Sequence, residues 1–453
     1  MHIPCTKRFR HAGIHGGVFP IAQPPPPVTA PLHTRPLRLL ADANIPFLHE
    51  AFDRYGTVEV RPGAAILPGT LAETDILLVR SVTPVNEALL AGTPVRFVGT
   101  ATAGTDHVDT DWLAAQGITF ASAPGSNAQS VVEYVLAALT WLGSWAFASK
   151  TIGVVGCGQV GGRLLERLPY LGFRVLACDP PLAEAAEAVG EPHDFVSLDR
   201  ILDEADVVTL HTPLTRAGRY PTYHLIGKRE LKRMTNRKRD RRTWRRPQTL
   251  LINAARGSVV DNDALRETLQ RNPANDPQLL AVLDVWENEP TPDPDLIPLV
   301  SIGTPHIAGY AYDGKVAGTS MLVDALNAWL RSHVSEADRI PEDIPERWDA
   351  EEVLLKEKPP VIHKLGHANP DLGTDDAAAQ LLVHRAYSIS NDDARFRRLL
   401  DLPSSEYAAY FRELRKTYPQ RRHFDRFTVG EPAVGRFDPQ VLVNGLGFSA
   451  EQQ

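Results

Sequence analysis

Residues 153–168 read GVVGCGQVGGRLLERL, an apolar run followed by three spaced glycines and an amphipathic segment. Gly156, Gly158 and Gly161 have the spacing G-x-G-x-x-G. Where a strand leads into a helix, the first glycine permits a tight turn and the second lets the backbone approach a pyrophosphate, while the third permits close helix–strand packing. The N-terminus of the helix adds partial positive charge. This stretch therefore predicts a dinucleotide-binding turn.

The next apolar run, FRVLACD, ends at Asp179, about 20 residues after the glycines. A carboxylate at this place accepts hydrogen bonds from the adenosine ribose hydroxyls and repels a 2′-phosphate. Cys178 and Pro180 flank Asp179, and no arginine lies beside it to neutralise such a phosphate. The predicted cofactor is therefore NAD rather than NADP.

Short apolar runs alternate with amphipathic segments on both sides of the glycine turn, a pattern typical of parallel β-α units. Four strands are predicted before the turn, in RLLADAN, DILLVRS, VRFVGTAT and ITFASAP. Six more are predicted from the turn onward, in TIGVVG, FRVLACD, DVVTLHTP, TLLINAAR, LLAVLDVW and VSIGTPH. The predicted fold class is α/β, with two Rossmann-like or flavodoxin-like lobes and a ligand cleft between them. A small C-terminal α+β domain follows.

Changes in composition suggest the domain boundaries. Residues 1–36 are basic and proline-rich and are predicted to form a disordered tail without a signal peptide. A lid lobe that binds substrate is predicted for 37–125, completed by about 305–332, and an NAD-binding Rossmann domain for 126–304. A Pro/Glu-rich linker, 333–359, then leads to the C-terminal domain, 360–453.

The bulk composition excludes several classes of protein. The 453 residues carry a net charge of −7, which gives no general attraction to nucleic acid or to an anionic membrane. No apolar run is long enough for a membrane-spanning helix. Three cysteines and no His/Cys cluster argue against a disulfide framework or a zinc site, so a cytoplasmic location without a metal is predicted.

One stretch of the sequence is strongly basic, in contrast to the negative net charge of the whole chain. Lysine or arginine occupies eleven of the nineteen positions 228–246, and the insertion itself is placed at about 235–247. Such a run is compatible with a nucleic-acid patch. A solvated surface loop is the favoured interpretation.

Polar residues follow the later strands of the second lobe. The ends of parallel strands meet at one crevice, where ligands bind in doubly wound sheets. His211 and Glu287, taken singly, are interpreted as turn or capping residues. The full set of polar and turn residues at the ends of these strands is His211 and Thr212, then Asn253, Arg256 and Gly257, then Asp284, Glu287 and Glu289, and finally His306.

Three of these groups suit the oxidation of an alcohol. Transfer of a hydride to a nicotinamide requires removal of the hydroxyl proton, and His306 is the predicted acid–base group. Glu289 is predicted to orient the imidazole, as a carboxylate does in other acid–base pairs. Arg256 offers a two-pronged donor for the carboxylate of a 2-hydroxy acid. Asp284, at the end of its strand, is predicted to reach the nicotinamide side of the cofactor.

The spacing of GCGQVG, Asp179, HTPL, NAARG, DVWENEP and TPHIAG resembles the D-isomer-specific 2-hydroxyacid dehydrogenases. Within that family, RSVT, FVGTATAGTDH and GTPHIAGY are similar to the erythronate-4-phosphate dehydrogenase branch, which acts in pyridoxal 5′-phosphate (vitamin B6) biosynthesis. The resemblance runs from about Leu37 to the C-terminus. It implies NAD-dependent oxidation of 4-phospho-D-erythronate, and a homodimer formed through the C-terminal domain.

The resemblance also implies roles for single residues. Arg256 and Glu289 become active-site residues, and His306 becomes the proton donor and acceptor. The substrate contacts implied are Ser81, Thr102 and Tyr310. The NAD contacts implied are Gln159, Val160, Asp179, Thr212, Asp284 and Gly309, beside the three glycines of the turn. Arg80 and Lys315 are our own candidates for binding the substrate phosphate.

Two other functions stay open on the sequence alone. A sister dehydrogenase could act on 3-phosphoglycerate or on a glyoxylate-type substrate, although the C-terminal segment and GTPHIAGY argue against it. A protein of this fold could also sense NAD and meet nucleic acid through its basic insertion. Retention of Arg256, Glu289 and His306 does not exclude the second function. Turnover by His306→Ala and deletion of residues 235–247 would separate it from an enzyme.

Overall fold

The computed structural model describes most of the chain. The described residues are 36–142, 150–237, 248–272, 277–333, 348–349, 352, 354, 361–362, 375–429, 438 and 440–450. The predicted disordered tail, apart from its last residue, and the basic stretch 238–247 lie outside them. None of the described helices is long and apolar enough to cross a membrane.

The chain divides into two compact units. Among the described residues, the first unit comprises 36–127 and the stretch from 311 to 358, and the second comprises 128–310 and everything from 359 onward. The C-terminal segment thus falls in the same unit as the glycine turn. The domain boundaries drawn from composition remain proposals.

The first unit is built on a five-stranded parallel sheet with the order β2-β1-β3-β4-β5, a flavodoxin-like arrangement. All four strands predicted here are confirmed, and β2 is an additional edge strand. Its strands are β1 (Leu37–Asp42), β2 (Gly56–Arg61), β3 (Ile76–Val79), β4 (Phe97–Thr100) and β5 (Thr119–Ala121). Its helices are α1 (Leu48–Phe52), α2 (Glu87–Leu90), α3 (Thr110–Ala115) and the long α10 (Tyr312–His333).

The second unit contains a six-stranded parallel sheet with the order β11-β10-β9-β8-β6-β7. All six strands predicted from the glycine turn onward are confirmed. The strands are β6 (Thr151–Val155), β7 (Arg174–Cys178), β8 (Val207–Leu210), β9 (Thr249–Asn253), β10 (Leu279–Leu283) and β11 (Ile302–Gly303). A single parallel bridge from Ala177 to Phe195 continues the sheet beyond β7. The order reverses at β6, and ligands of doubly wound folds bind at such a switch point.

Helices accompany these strands, and the predicted α/β fold class is confirmed. The long helix α4 has almost no exposed side chain, because sheet and C-terminal segment both pack on it. The helices of this part are α4 (Ala128–Trp141), α5 (Gln159–Arg167), α6 (Pro180–Ala188), α7 (Leu198–Glu204), α8 (Lys228–Thr235) and α9 (Asn262–Gln270).

The interpretation of the basic run as a surface loop is wrong for its first half. Residues 228–235 form helix α8, whose Leu231 and Met234 are fully buried in the core. Arg233 forms ion pairs with Asp199 and Asp203 at 2.7 and 2.5 Å. Apolar residues three positions apart give one buried helical face, and this periodicity was obscured by the basic residues around it.

Among its described residues, the C-terminal segment contributes three more α-helices and a very small parallel sheet. Polar contacts join it to α4: the Phe424 amide donates to Glu133 Oε1 at 2.8 Å, and Ser130 Oγ lies 3.0 Å from His423 Nε2. The elements are α11 (Asp375–Ala386), α12 (Ile389–Arg397), α13 (Tyr407–Lys416), β12 (Val361–Ile362), β13 (Thr428–Val429) and β14 (Ser449–Ala450).

Glu133 within α4 is expected to make stability depend on pH. The residue is fully buried, and Oε2 has no hydrogen-bond partner among the described residues. Burial raises the pKa of Glu133 to about 8, although hydrogen bonds from Phe424 and Gln129 and the charge of Arg421 oppose the rise. The folded state therefore holds a proton that the unfolded chain releases near the ordinary glutamate pKa of about 4.3. Its contribution to stability is full below that value and is lost as pH rises to about 8.

The expected result is that Glu133→Gln, which cannot ionise, loses less Tm than the natural chain between pH 5 and pH 9. Thermal melts across this range measure the difference, which is worth at most about 5 kcal/mol. The control is Glu166→Gln, which replaces an exposed glutamate on the neighbouring helix α5. Equal pH dependence of all three chains would contradict the expectation.

Candidate active site

The glycine turn has the geometry that its sequence predicts. Gly156 has φ +87°, in the left-handed region that favours glycine. A Cβ added to Gly161 would lie 1.9 Å from the carbonyl oxygen of Gly156, so helix α5 can approach the turn only because residue 161 lacks a side chain. Gly158 faces open space, with no atom within 4 Å of an added Cβ.

Asp179 ties the glycine turn to the following helix. Its Oδ2 accepts a hydrogen bond from the Cys157 amide at 2.8 Å, and its Oδ1 accepts one from the Leu182 amide at 3.1 Å, which caps α6. The side chain is half-buried. A carboxylate that bridges two amides is held in one orientation, and each oxygen keeps a lone pair for a further donor.

Two polar atoms just beyond β8 lack partners among the described residues. Thr212 Oγ1 and His211 Nδ1 are both buried and make no hydrogen bond, while His211 Nε2 lies 2.8 Å from Thr209 Oγ1. Burial lowers the pKa of His211 to about 3. A neutral imidazole in this place supports the interpretation of His211 as a structural residue. Buried polar atoms without partners are costly, so Thr212 Oγ1 marks a place where a ligand could supply a hydrogen bond.

Arg256 is positioned by a tight turn after β9. Asn253 shapes the turn, since its Nδ2 donates to the Arg256 carbonyl at 2.9 Å and its Oδ1 accepts from the Ala255 amide at 3.1 Å. A Cβ on Gly257 would lie 1.9 Å from the Trp286 carbonyl oxygen. The Arg256 turn is thereby held against the loop that follows β10, which carries Glu289.

His306 and Glu289 form a hydrogen-bonded pair, as the sequence reading expects. His306 Nδ1 lies 2.7 Å from Glu289 Oε2, and Glu289 Oε1 accepts a hydrogen bond from the Trp286 amide at 2.8 Å. Burial alone would raise the pKa of Glu289, but the charge and hydrogen bond of His306, the Trp286 amide and the charge of Arg415 together lower it. The carboxylate is therefore ionised at neutral pH and fixes the imidazole by its Nδ1 side.

Asp284 anchors the backbone of the loop that carries His306. Its carboxylate accepts hydrogen bonds from the Ile307 amide at 2.7 Å, the Ala308 amide at 2.9 Å and the Thr304 hydroxyl at 2.7 Å. The residue is buried, which raises its pKa, although His306 and these hydrogen bonds oppose the rise. Three of the four lone pairs of the carboxylate are thus used within the chain. Its contact with the nicotinamide remains a proposal.

Glu287 has the capping role that the sequence reading favoured. Its Oε2 accepts a hydrogen bond from the Asn262 amide in the first turn of α9 at 3.0 Å, and its Oε1 lies 2.9 Å from His224 Nε2. Ligand atoms of His224, Asp261 and Glu287 lie within 4.8 Å of one another. The hydrogen bond of His224 with Glu287, its ion pair with Asp261 at 3.7 Å and the capping of α9 account for this arrangement.

In the first unit, considered by itself, Ser81 and Thr102 follow the neighbouring strands β3 and β4. Ser81 is exposed, whereas Thr102 Oγ1 lies 2.8 Å from Thr100 Oγ1 and donates to the Gly104 carbonyl at 2.9 Å. Arg80 donates to the Asn44 carbonyl at 2.9 Å, which brings it beside the end of β1. Lys315 lies in the first turn of α10 and is half-buried.

The remaining predicted residues lie at the ends of the same elements of the second unit. Gln159 and Val160 open helix α5, directly after the glycine turn. Gly309 and Tyr310 follow the His306 loop, and the Tyr310 amide donates to the Ile307 carbonyl at 2.9 Å. The second unit therefore assembles the glycine turn, Arg256, Glu289 and His306 at the carboxyl ends of one sheet.

The chain is similar to several known proteins. Residues 134–308 match the family model described as D-isomer specific 2-hydroxyacid dehydrogenase, NAD binding domain, and residues 362–442 match a domain of unknown function, DUF3410. Erythronate-4-phosphate dehydrogenase of Salinibacter ruber is 46% identical over 90% of this chain and 98% of that protein. The protein of the same name from Pseudomonas aeruginosa is 45% identical over 91% and 99%.

The chain belongs to the erythronate-4-phosphate dehydrogenase family. A third member, from Azotobacter vinelandii, is 47% identical over 87% of this chain and 94% of its own. The matches cover both units and the C-terminal segment, so the resemblance drawn from the motifs is confirmed, and the chain is an NAD-dependent dehydrogenase.

Solved structures show how much of the fold this family shares with other dehydrogenases. D-lactate dehydrogenase from Aquifex aeolicus, complexed with NAD and lactic acid, aligns with a TM-score of 0.51 at 23% identity over 65% of this chain and 96% of its own. NAD-bound 3-phosphoglycerate dehydrogenase from Entamoeba histolytica gives 0.52 at 19% identity over 65% and 95%. At these identities the likeness concerns the fold alone.

The residues of this member of the erythronate-4-phosphate dehydrogenase family fit NAD. The glycine turn leaves open space at Gly158 for a pyrophosphate, Asp179 keeps acceptor capacity, and Thr212 Oγ1 is a buried atom in need of a partner. When bound, NAD supplies the acceptor for the hydride.

Two residues close to this site were not predicted from the sequence. Arg415 and Arg421, in the C-terminal segment, approach the loop that carries His306. No local pattern distinguishes them from the other arginines of FRELRKTYPQRRHF, because their role depends on contacts more than one hundred residues away in the chain.

Proposed function

We propose that the chain oxidises 4-phospho-D-erythronate at C2 to (R)-3-hydroxy-2-oxo-4-phosphooxybutanoate, with NAD as the acceptor, in vitamin B6 biosynthesis. The observation that carries the proposal is the 2.7 Å contact between His306 Nδ1 and Glu289 Oε2, in the same unit as the glycine turn. An alcohol can be oxidised in this way only if a base accepts its proton while the hydride departs. The names of the family members supply the substrate.

In this proposal each residue has one task. Glu289 holds Nδ1 of His306, which leaves Nε2 to accept the C2 hydroxyl proton, and its negative charge stabilises the imidazolium that forms. Arg256 pairs with the substrate carboxylate through its planar guanidinium. Ser81, Thr102 and Tyr310 contact the substrate, and Arg80 and Lys315 are candidates for binding its phosphate.

The cofactor contacts are also part of the proposal. Gly156, Gly158, Gln159, Val160 and Gly161 would hold the pyrophosphate, and Asp179 the adenosine ribose. Thr212, Asp284 and Gly309 would line the nicotinamide half. We further propose a homodimer formed through the C-terminal domain and a cytoplasmic location, which rest on the resemblance of the C-terminal segment and on the cysteine content.

The assay is NADH formation by the full chain with 4-phospho-D-erythronate and, in parallel, with 3-phosphoglycerate. A 2-oxo acid acceptor is included in case NADH stays bound, and product formation is then followed by mass spectrometry. The expected result is a higher kcat/KM for the four-carbon acid. A preference for 3-phosphoglycerate would refute the substrate, and NAD binding without turnover of either acid would favour the NAD-sensing alternative.

A further inference from the structure

The C-terminal segment packs against the loop that carries His306, within one compact unit. The Arg415 guanidinium carbon lies 5.4 Å from the centre of the Tyr310 ring, and the Tyr418 ring meets Tyr310 edge-on, with centroids 5.8 Å apart. Arg421 Nη2 donates to the Ala308 carbonyl at 2.5 Å and to the Ser130 carbonyl at 3.1 Å. A region that matches the family model DUF3410, a domain of unknown function, thus borders the proposed acid–base group.

The loop needs support from outside because its backbone is strained. His306 has φ +58°, in the left-handed region that costs a residue with a side chain about 1 to 2 kcal/mol. The His306 amide donates to the Asp284 carbonyl at 2.7 Å, and the next two amides donate to the Asp284 carboxylate. Asp284 therefore holds the amides of the loop, and Arg421 holds a carbonyl of the same loop.

The position of the Arg415 side chain is not explained by a hydrogen bond at Nε. This atom is buried and has no hydrogen-bond partner among the described residues, although a hydrogen bond normally stabilises a buried donor. The side chain is nevertheless held over Tyr310, an aromatic face that attracts a cation. The positive charge of Arg415 also helps to lower the pKa of Glu289, after the larger effects of His306 and the Trp286 amide.

We propose that Arg415 is a positioning residue for the His306–Glu289 pair, through which the C-terminal domain takes part in catalysis. It fixes Tyr310 at the end of the loop, and its permanent positive charge favours the ionised form of Glu289. This inference rests on the proposed function, because it assumes that His306 is the acid–base group. Arg421 contributes by clamping the same loop at Ala308.

The test uses three variants of the full chain. Arg415→Met removes the charge and keeps an apolar stem, and Arg415→Lys keeps the charge. Arg412→Met is the matched control, since Arg412 is an exposed arginine on the same helix α13. Two quantities are measured for each: kcat/KM for 4-phospho-D-erythronate as a function of pH, and the imidazole NMR resonances of His306, assigned by their loss in His306→Ala.

For Arg415→Met we expect kcat/KM to fall about ten-fold. The acid limb of the pH profile should move to higher pH, because the hydrogen-bonded His306–Glu289 pair binds a proton more readily once the positive charge is removed. Arg415→Lys should retain the position of the acid limb, and Arg412→Met should match the natural chain. The His306 resonances should shift in Arg415→Met and stay unchanged in Arg412→Met.

An unchanged acid limb and unchanged His306 resonances in Arg415→Met would overturn the proposal. If the natural chain turned over neither acid, the proposed function would fail, while the NMR comparison would still decide whether Arg415 acts on His306. Should Arg415→Met fail to fold, Arg415→Gln takes its place in both measurements, with the same expected results.

Discussion

Replacement of His306 by alanine is expected to lower kcat/KM for 4-phospho-D-erythronate about a thousand-fold. The imidazole is held by Glu289 Oε2 at 2.7 Å from its Nδ1, so it presents a single nitrogen to the substrate hydroxyl. Without it, the hydroxyl proton passes to water, which is neither oriented nor paired with a carboxylate. Steady-state kinetics with NAD measure the loss.

The affinity for NAD separates a chemical defect from a structural one. Calorimetric titration with NAD should give nearly the same Kd for His306→Ala as for the natural chain, since the residues proposed to hold the pyrophosphate and the adenosine ribose lie in the glycine turn and at Asp179. The matched control is His49→Ala. His49 also pairs with a carboxylate, Asp53, at 2.9 Å, but its side chain is 63% exposed. If His306→Ala kept more than about a tenth of the activity, the acid–base role would be excluded.

Much of the fold follows from local patterns. Each buried strand of the two sheets is a short apolar run bounded by polar or turn residues, and ten predicted strands are confirmed. One strand at the edge of the first sheet was not predicted from the apolar pattern. Strand β2 has a half-exposed alternation, with Val58 and Val60 between polar neighbours, because an edge strand needs no continuous apolar run. The bridge at Phe195 is too short to leave a pattern at all.

The site is predictable to the extent that it uses the ends of parallel strands. The pairing of His306 with Glu289 could be expected, since both residues follow neighbouring strands and a carboxylate suits a histidine. The anchoring role of Asp284 could not, because it depends on backbone amides that a sequence does not display. Arg415 and Arg421 reach the loop only through the packing of a separate segment, so a search among strand ends misses them.

The basic run shows how composition can mislead. Eleven of nineteen residues are lysine or arginine, yet the first part is an amphipathic helix with two buried residues. Some of its basic side chains have partners within the chain. Arg233 forms ion pairs with two aspartates, and Arg237 donates hydrogen bonds to the carbonyls of Glu204 and Ala205. A charge count therefore overstates the charge that this segment offers to a partner.

Among the glycine substitutions considered for the NAD-binding turn, Gly161→Ala is expected to lower stability most. The added Cβ would lie 1.9 Å from the Gly156 carbonyl oxygen, which is backbone and cannot turn away. Helix α5 must then move off the glycine turn, at a cost of roughly 3 kcal/mol. We expect a clear fall in Tm together with loss of measurable NAD binding, since the helix N-terminus and the turn separate.

Gly158→Ala separates the packing effect from the cofactor effect, because its Cβ would meet no atom of the described chain within 4 Å. It should lose much less Tm than Gly161→Ala and yet bind NAD about ten-fold more weakly, since the methyl group occupies the space that a pyrophosphate needs. Gly69→Ala, where an added Cβ also meets open space, should change neither quantity. Thermal melts and NAD titration of the three variants therefore test the two glycine roles separately. Full NAD affinity in Gly158→Ala would contradict the proposed close approach of the pyrophosphate to this glycine. An unchanged Tm in Gly161→Ala would contradict the packing role of the third glycine.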